Sequence, residues 1–167
     1  MAANTEPQLT LRHDLRPGDL GGVTALHGAL YAREFGFDQT FEAYVAEALA
    51  EFGRAPRPER HRLWIVEADG RIAGSLGIVG RDGGAAQLRW FLLDPTVRGR
   101  GLAQGLVGDA LAFCRARGCS SVYLWTVHVL TAAARVYLSS GFRKTEVKPA
   151  ADLWGQRLIE ERYDLAL

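Results

Sequence analysis

Cysteine is scarce in this chain: Cys114 and Cys119 are the only two among 167 residues. Two thiols make no disulfide framework, and neither lies in a CxxC or Cys/His ligand cluster, so no metal site is expected. Lysine is scarce too, with Lys144 and Lys148 alone among mostly arginine basic residues; that bias reflects genomic composition before function. Neither sign of charge is in excess, since 20 basic residues face 19 acidic ones for a formal charge of +1. No global field therefore points to nucleic acid or a membrane surface. No apolar run is long enough to cross a bilayer, and the opening MAANTEPQLTLRHDL lacks the apolar centre of a signal peptide. No internal repeat, low-complexity tract or interdomain linker is visible. These absences set the expectation of a soluble, cytoplasmic protein in a reducing compartment. What is present is 48% hydrophobic residues, in a chain long enough for one cored domain over residues 1–167.

Alternation over Leu9–His13 predicts a first strand, and Pro17-Gly18-Asp19 punctuates it, with Asp19 placed to cap a following helix. Leu20, Val23, Leu26 and Leu30 keep helical spacing as far as Gly36, and Phe41, Tyr44, Val45, Ala48 and Leu49 mark a second helix after Asp38. The stretch 52–61, with Pro56 and Pro58, reads as a loop. Strands over 62–68 and 71–79 flank Asp69-Gly70, a dipeptide favoured in tight hairpins. A third strand over 85–93 ends at Asp94-Pro95, because proline donates nothing to a ladder and restricts its predecessor. Leu102, Leu106, Val107, Ala110, Leu111 and Cys114 share one helical face that Gly118 ends. Residues 121–127 are apolar on both faces, as in a central strand. A helix over 131–140 and strands over 142–147 and about 157–165 complete the chain. The order β-α-α-β-β-β-α-β-α-β-β mixes hairpins with crossovers and predicts an α/β (α+β) fold with a mixed sheet.

The chemistry concentrates between the third strand and the helix after it. Arg98, Gly99, Arg100 and Gly101 precede Leu102, Ala103 and Gln104 at the start of a long amphipathic helix. The first N–H groups of a helix have no internal partner and sit at the positive end of its dipole. Glycines let that backbone close around an anion, and two arginines add charge, so the segment suits a phosphate or pyrophosphate. A bland glycine-rich surface turn is the plain alternative. A dinucleotide fingerprint is a sharper one, because Gly99, Gly101 and Gly105 make a GxGxxxG. That motif normally opens a domain and needs further parallel βα units, whereas here it comes late in the chain.

The run Arg98-Gly99-Arg100-Gly101-Leu102-Ala103 resembles the pyrophosphate motif (Gln/Arg)-x-x-Gly-x-(Gly/Ala) of the GNAT superfamily of N-acetyltransferases. Ala133-Ala134-Arg135-Val136-Tyr137, followed by Gly141-Phe142, is similar to that family's closing motif. The segments HGALYAREFGFD, LWTVHVLTAAARVYLSSGF and DLWGQRLIEERYDLAL look like acetyltransferase domains fused to MarR-type regulators. No helix-turn-helix half accompanies them, which implies a stand-alone relative. The resemblance implies a GNAT-type, largely antiparallel central sheet flanked by helices. It also implies transfer of acetyl from acetyl-CoA to a small-molecule or peptide amine, with a homodimer allowed.

Residue by residue, the resemblance assigns Phe91, Leu92 and Leu93 to backbone pairing with pantetheine, and the amides of residues 98–104 to the pyrophosphate. Tyr137 matches the tyrosine that protonates the departing thiolate, with packing near the sulfur as the alternative. Leu130 stands where many relatives carry an asparagine, which removes one polar contact to the cofactor. No carboxylate occupies the strand that bears the general base in some relatives. His128 and Glu34 are the candidates for that role, with water as a third route. Tyr31, Glu34, Phe37 and Asp38 fall in the segment that covers the acceptor cleft in this superfamily. Arg89 suits either a substrate carboxylate or a strand-face ion pair, and Trp64, Trp90, Trp125 and Trp154 read as core or cleft wall. Cys114 lies on an apolar helix face and offers no activated nucleophile. A non-catalytic acyl-CoA-binding module on the same fold is the competing reading.

Overall fold

The computed structural model describes residues 6–167. Strand β1 (Leu9–Arg12) is followed by helices α1 (Asp19–Phe35) and α2 (Gln39–Arg54). Strands β2 (His61–Ala68), β3 (Arg71–Gly80) and β4 (Ala85–Leu93) then form an antiparallel meander. Helix α3 (Leu102–Ala116), strand β5 (Ser121–Val127), helix α4 (Thr131–Ser139) and strand β6 (Arg143–Val147) continue the chain. Short strands β7 (Ala151–Leu153) and β8 (Gln156–Leu158) pair only with each other, and β9 (Glu160–Ala166) inserts between β5 and β6. The main sheet runs β1-β2-β3-β4-β5-β9-β6, with β4–β5 its one parallel pair among the described residues. The expected mixed, largely antiparallel sheet flanked by helices is therefore present.

Three local differences have physical causes. Helix α2 runs on to Arg54, past the expected loop start at Phe52, and stops at Ala55. Ala55 precedes Pro56, whose ring pushes its predecessor out of helical geometry. Asp19 is the first residue of α1 and not its cap, a position taken by Gly18. The Asp19 carboxylate instead accepts from the Arg16 backbone N–H at 2.7 Å and from the Arg12 guanidinium at 2.7 and 2.9 Å. Glu67 lies 2.7 Å from the same guanidinium, so Arg12 ties β1 to both α1 and β2. The β7–β8 hairpin is the third difference. Its two-residue turn puts Trp154 at φ 53° and Gly155 at φ 78°, the double left-handed geometry of a type I′ turn.

Both faces of the sheet are covered, which explains why Leu63, Trp64, Ile65 and Val66 of β2 are all buried. Trp64 and Val66 join Leu106, Val107, Leu111 and Phe113 of α3 in one core. Leu63 and Ile65 join Val23 of α1 and Val45 and Leu49 of α2 in the other.

Two irregularities of β4 prepare the site. Its parallel ladder with β5 covers only Ala85–Gln87 against Ser121–Tyr123, after which the strands no longer pair. Its ladder with β3 slips between Ser75 and Gly77, opposite Trp90 with its left-handed φ of 51°. A β-bulge of this kind re-aims side chains: Leu88 packs in the α3 core, while Trp90 packs in the α1/α2 core. Gly77 accommodates the bulge, since a Cβ there would collide with the Trp90 ring. The Ser75 hydroxyl donates to the Trp90 carbonyl at 2.6 Å and holds it.

Candidate active site

Two cavities meet where β4 and β5 part, and Tyr31, Phe91 and Leu130 line both. The larger, about 420 Å³, lies along Phe91–Leu93, the loop before α3 and the first turns of α3 and α4. The smaller, about 120 Å³, lies between α1, α2, β4, β5 and Trp154. The first has room for an extended chain, and the second for the head of a small molecule.

At the far end of the larger cavity, α3 begins without a side-chain cap. Gly101 is its N-cap at φ 70°, no side chain bonds the first turn, and no acidic residue lies in that turn. Helix α2 shows the contrast, since the Asp38 carboxylate there accepts from the Thr40 N–H at 2.9 Å. The Gly101 carbonyl accepts from the Gly105 N–H at 3.0 Å, so the intrahelical ladder starts there. The amides of Leu102, Ala103 and Gln104 precede it and have no helical acceptor. Gly99, Gly101, Leu102, Ala103 and Gln104 all line the cavity.

Arginines 98 and 100 part company. The Arg98 side chain lines the cavity, donating to the Leu93 carbonyl at 2.8 Å and to the Glu34 carboxylate at 2.8 and 3.1 Å. Arg100 does not line it, and its guanidinium stands 4.0 Å from Glu6. Along β4, the Asp94 N–H bonds to the Ala73 carbonyl on the β3 side. By strand alternation Leu92 faces β3 with it, and the backbone groups of Phe91 and Leu93 turn to the open fork.

Tyr137 of α4 lines the smaller cavity, buried among Phe91, Phe142 and Tyr163 at ring separations of 5.9–6.0 Å. Burial raises its phenol above the ordinary range, so the hydroxyl stays protonated. Tyr31, at the junction, is pushed up to about 12 by the same cause. The Cys114 thiol is buried in the α3 core and pushed up to about 12, chiefly by desolvation, which leaves it inert as a nucleophile.

Two residues expected near the acceptor are placed elsewhere. Glu34 lines the larger cavity, engaged by Arg98. His128 lines neither cavity; its Nδ1 accepts from the Ile159 N–H at 3.1 Å, which fastens the end of β5 to the start of β9. Tyr31 and Phe37 do line the smaller cavity. Sequence reasoning missed His27, Thr126 and Glu160, which line it too. The sequence did carry a signal for His27: it lies four residues from both Val23 and Tyr31, on the inner face of α1.

His27 is 3% exposed, and its Nδ1 lies 2.8 Å from the Val23 carbonyl. That bond fixes the proton on Nδ1 and leaves Nε2, which has no partner, as an acceptor. Desolvation lowers its pKa from 6.5 to about 4. An unfolded chain therefore binds a proton between pH 6.5 and 4 that the native state refuses, so stability falls on acidification through that window. Melting temperatures measured from pH 7 to 4 should drop, and His27→Gln should flatten the decline. An unchanged slope in the variant would remove His27 as its source.

The profile of the Acetyltransferase (GNAT) family matches residues 28–142, more than half of the chain. Among curated proteins, N-acetyltransferase 8F1 of Rattus norvegicus is 29% identical over 137 residues, covering 75% of this chain and 62% of its own. An N-acetyltransferase of Schizosaccharomyces pombe is 33% identical over 119 residues, covering 70% and 72%. The chain spans only 39–62% of the length of the first four rat and human relatives. Among solved structures, a GNAT-family acetyltransferase of Staphylococcus aureus superposes with TM-score 0.76 at 15% identity, covering 96% of this chain and 99% of its own. Spermidine N-acetyltransferase of Vibrio cholerae, solved with CoA and spermine, gives TM-score 0.71 at 20% identity, covering 95% of each chain. The forked sheet, the uncapped helix behind a glycine loop and a family match over residues 28–142 together establish one conclusion: this chain belongs to the GNAT acetyltransferase family.

Proposed function

We propose that the chain, as one domain, transfers an acetyl group from acetyl-CoA to a primary amine by direct attack within a ternary complex. The observation that carries this reading is the meeting of two cavities at Tyr31, Phe91 and Leu130. Free helix amides stand at one end, and Tyr137 lines the other cavity. The residues fit the nucleotide end of CoA: an uncapped first turn without acids, open space at Gly99 and Gly101, and Arg98 on the wall. Leu92 and Leu93 with Phe91 flank the pantetheine arm, and Arg100 contributes charge from outside the groove. Glu34 acts as a positioning residue, holding Arg98 against the loop. The likeness to domains fused to MarR-type regulators rests on the sequence segments alone.

Acetyl-CoA supplies a thioester, whose carbonyl carbon bonds to the amine nitrogen as the C–S bond breaks. The Phe91 amide, freed by the fork, stabilises the carbonyl oxygen as charge develops. Among the described residues Glu160 is the only carboxylate lining the acceptor cavity, so it attracts the ammonium and passes its first proton to solvent. Tyr137 gives a proton to the departing sulfur and regains one from the new amide nitrogen. His128, outside both cavities, has no part in this route. Nor does Cys114, whose burial disfavours a covalent acetyl-enzyme.

Acetyl-CoA should raise the melting temperature by mass action, NADPH should not, and a panel of primary amines should elicit CoA thiol release. Stabilisation by NADPH alone would end the reading. Stabilisation by acetyl-CoA without thiol release from any amine would leave an acyl-CoA-binding module.

A further inference from the structure

Among the described residues Arg89 is the one cationic side chain lining the acceptor cavity, and no carboxylate of those residues lies within ion-pair distance of it. Its nearest polar partner is the Tyr44 hydroxyl, at 3.2 Å. Its guanidinium is otherwise held by ring faces, 5.0 Å from Trp90 and 5.8 Å from Tyr44. Arg98 in the other cavity, by contrast, is neutralised by Glu34 at 2.8 Å. Glu51 shares a neighbouring depression with Arg89 and forms no ion pair with it. The bulge that turns Trp90 into the α1/α2 core also places Arg89 over that ring. An arginine ordered by aromatic faces, with its planar fork left open, is built to receive a carboxylate.

The rest of the cavity says what accompanies that carboxylate. Phe41 and Trp154 meet edge to face at 4.9 Å, and Tyr44 lies 5.5 Å from Trp154. The β7–β8 hairpin that delivers Trp154 is anchored to the α1–α2 turn. There the Asp38 N–H bonds the Trp154 carbonyl at 2.9 Å, and Gln156 Nε2 bonds the Gly36 carbonyl at 3.0 Å. These rings make an apolar chamber. Among the described residues that line it, three polar atoms are buried without partners, His27 Nε2, Trp90 Nε1 and Thr126 Oγ1, in residues 3%, 7% and 9% exposed. Buried polar atoms left unpaired are costly, so this wall is not the product of apolar packing alone. Glu160 supplies the negative charge of the described lining. A polyamine would place its second cation against Arg89; a zwitterion would not.

We propose, on the reading of this cavity as the acceptor site, that the acceptor is a small amine carrying a carboxylate and an apolar body. An α-amino acid with an aromatic or large aliphatic side chain has that form. Arg89 is then the residue that sets specificity: its guanidinium binds the carboxylate, Glu160 faces the ammonium, and the rings enclose the side chain.

The test compares L-phenylalanine with phenethylamine, which has the same body and no carboxylate, at saturating acetyl-CoA. kcat/KM should favour phenylalanine by at least about tenfold, as expected when a charge-assisted pair is present or absent. Arg89→Gln should shrink that ratio by about tenfold or more, and Arg89→Lys should restore part of it. In parallel, calorimetry on the CoA-loaded protein should show N-acetyl-L-phenylalanine binding more tightly than N-acetylphenethylamine, with the preference lost in Arg89→Gln. Equal rates for the two amines with thiol release intact would leave acetyl transfer standing and overturn the carboxylate site. A binding preference abolished by Arg89→Gln, without thiol release from any amine, would uphold the carboxylate site and remove the transfer reaction. Failure of both N-acetyl compounds to bind, or a preference untouched by Arg89→Gln, would overturn the proposal.

Discussion

Gly101→Val should weaken CoA binding about a hundredfold, or ~2.7 kcal/mol, while the unliganded protein still folds. The reason lies in the backbone. Gly101 caps α3 at φ 70° and ψ 5°, a left-handed conformation that a β-branched residue adopts only under strain. A Cβ built there meets nothing within 4 Å, so the substitution forces no clash with the core. The strain is relieved by moving the loop, and that movement misaligns the amides of Leu102, Ala103 and Gln104. Whatever the loop does not relieve leaves the valine methyls in the open groove, where phosphate oxygens must approach the helix end. Pantetheine lacks the pyrophosphate, so its weaker affinity should change far less. Calorimetric titration of both ligands checks this. Equal losses would indicate a general folding defect, and an unchanged affinity for CoA would remove the phosphate site from this loop.

That loop was legible in the sequence because the role proposed for it is a backbone role, and glycine spacing before an amphipathic helix reports backbone geometry directly. The sheet was legible for a related reason: hairpin dipeptides and runs apolar on both faces depend on near neighbours. The smaller cavity, proposed as the acceptor site, depends on contacts between distant segments. His27 sits among core positions of α1, and only the assembled fold shows that its Nε2 has no partner. Glu160 enters through the pairing of β9 with β5, where it lies opposite Val127. The β7–β8 hairpin escaped notice because tryptophan is a poor sequence marker for a left-handed turn position. Its anchoring to the α1–α2 turn supplies what local preference lacks. His128 and Glu34 were sensible candidates by residue type. Their hydrogen bonds to Ile159 and Arg98 could not be inferred from local pattern. Arg89 was readable as an open question, and its aromatic setting, with no acid partner among the described residues, favours one of the two answers.

Tyr137→Phe should lower kcat by about 10²-fold, the scale of a single general acid, with little change in the KM for acetyl-CoA. Phenylalanine keeps the ring that packs against Phe91, Phe142 and Tyr163 at 5.9–6.0 Å, so the cavity wall survives and only the hydroxyl is lost. Burial has two opposed consequences for that hydroxyl. It raises the phenol above its ordinary range, which makes it a weaker acid in isolation. The same desolvation acts on a thiolate leaving in the cavity and raises its proton affinity as well. The two shifts run in parallel, so donation from Tyr137 remains feasible where bulk water is excluded. It follows that the wild-type pH–rate profile should have no falling limb from Tyr137 below about pH 10, the unperturbed phenol value. The loss in Tyr137→Phe should be smaller for a thioester whose leaving thiol is more acidic, because that thiolate needs less help. Turnover of acetyl-CoA and of an acetyl thioester of an aryl thiol, measured with one acceptor, gives the comparison. An undiminished kcat with acetyl-CoA would reduce Tyr137 to packing. An equal loss with both thioesters would place its contribution at some step other than protonation of the departing sulfur.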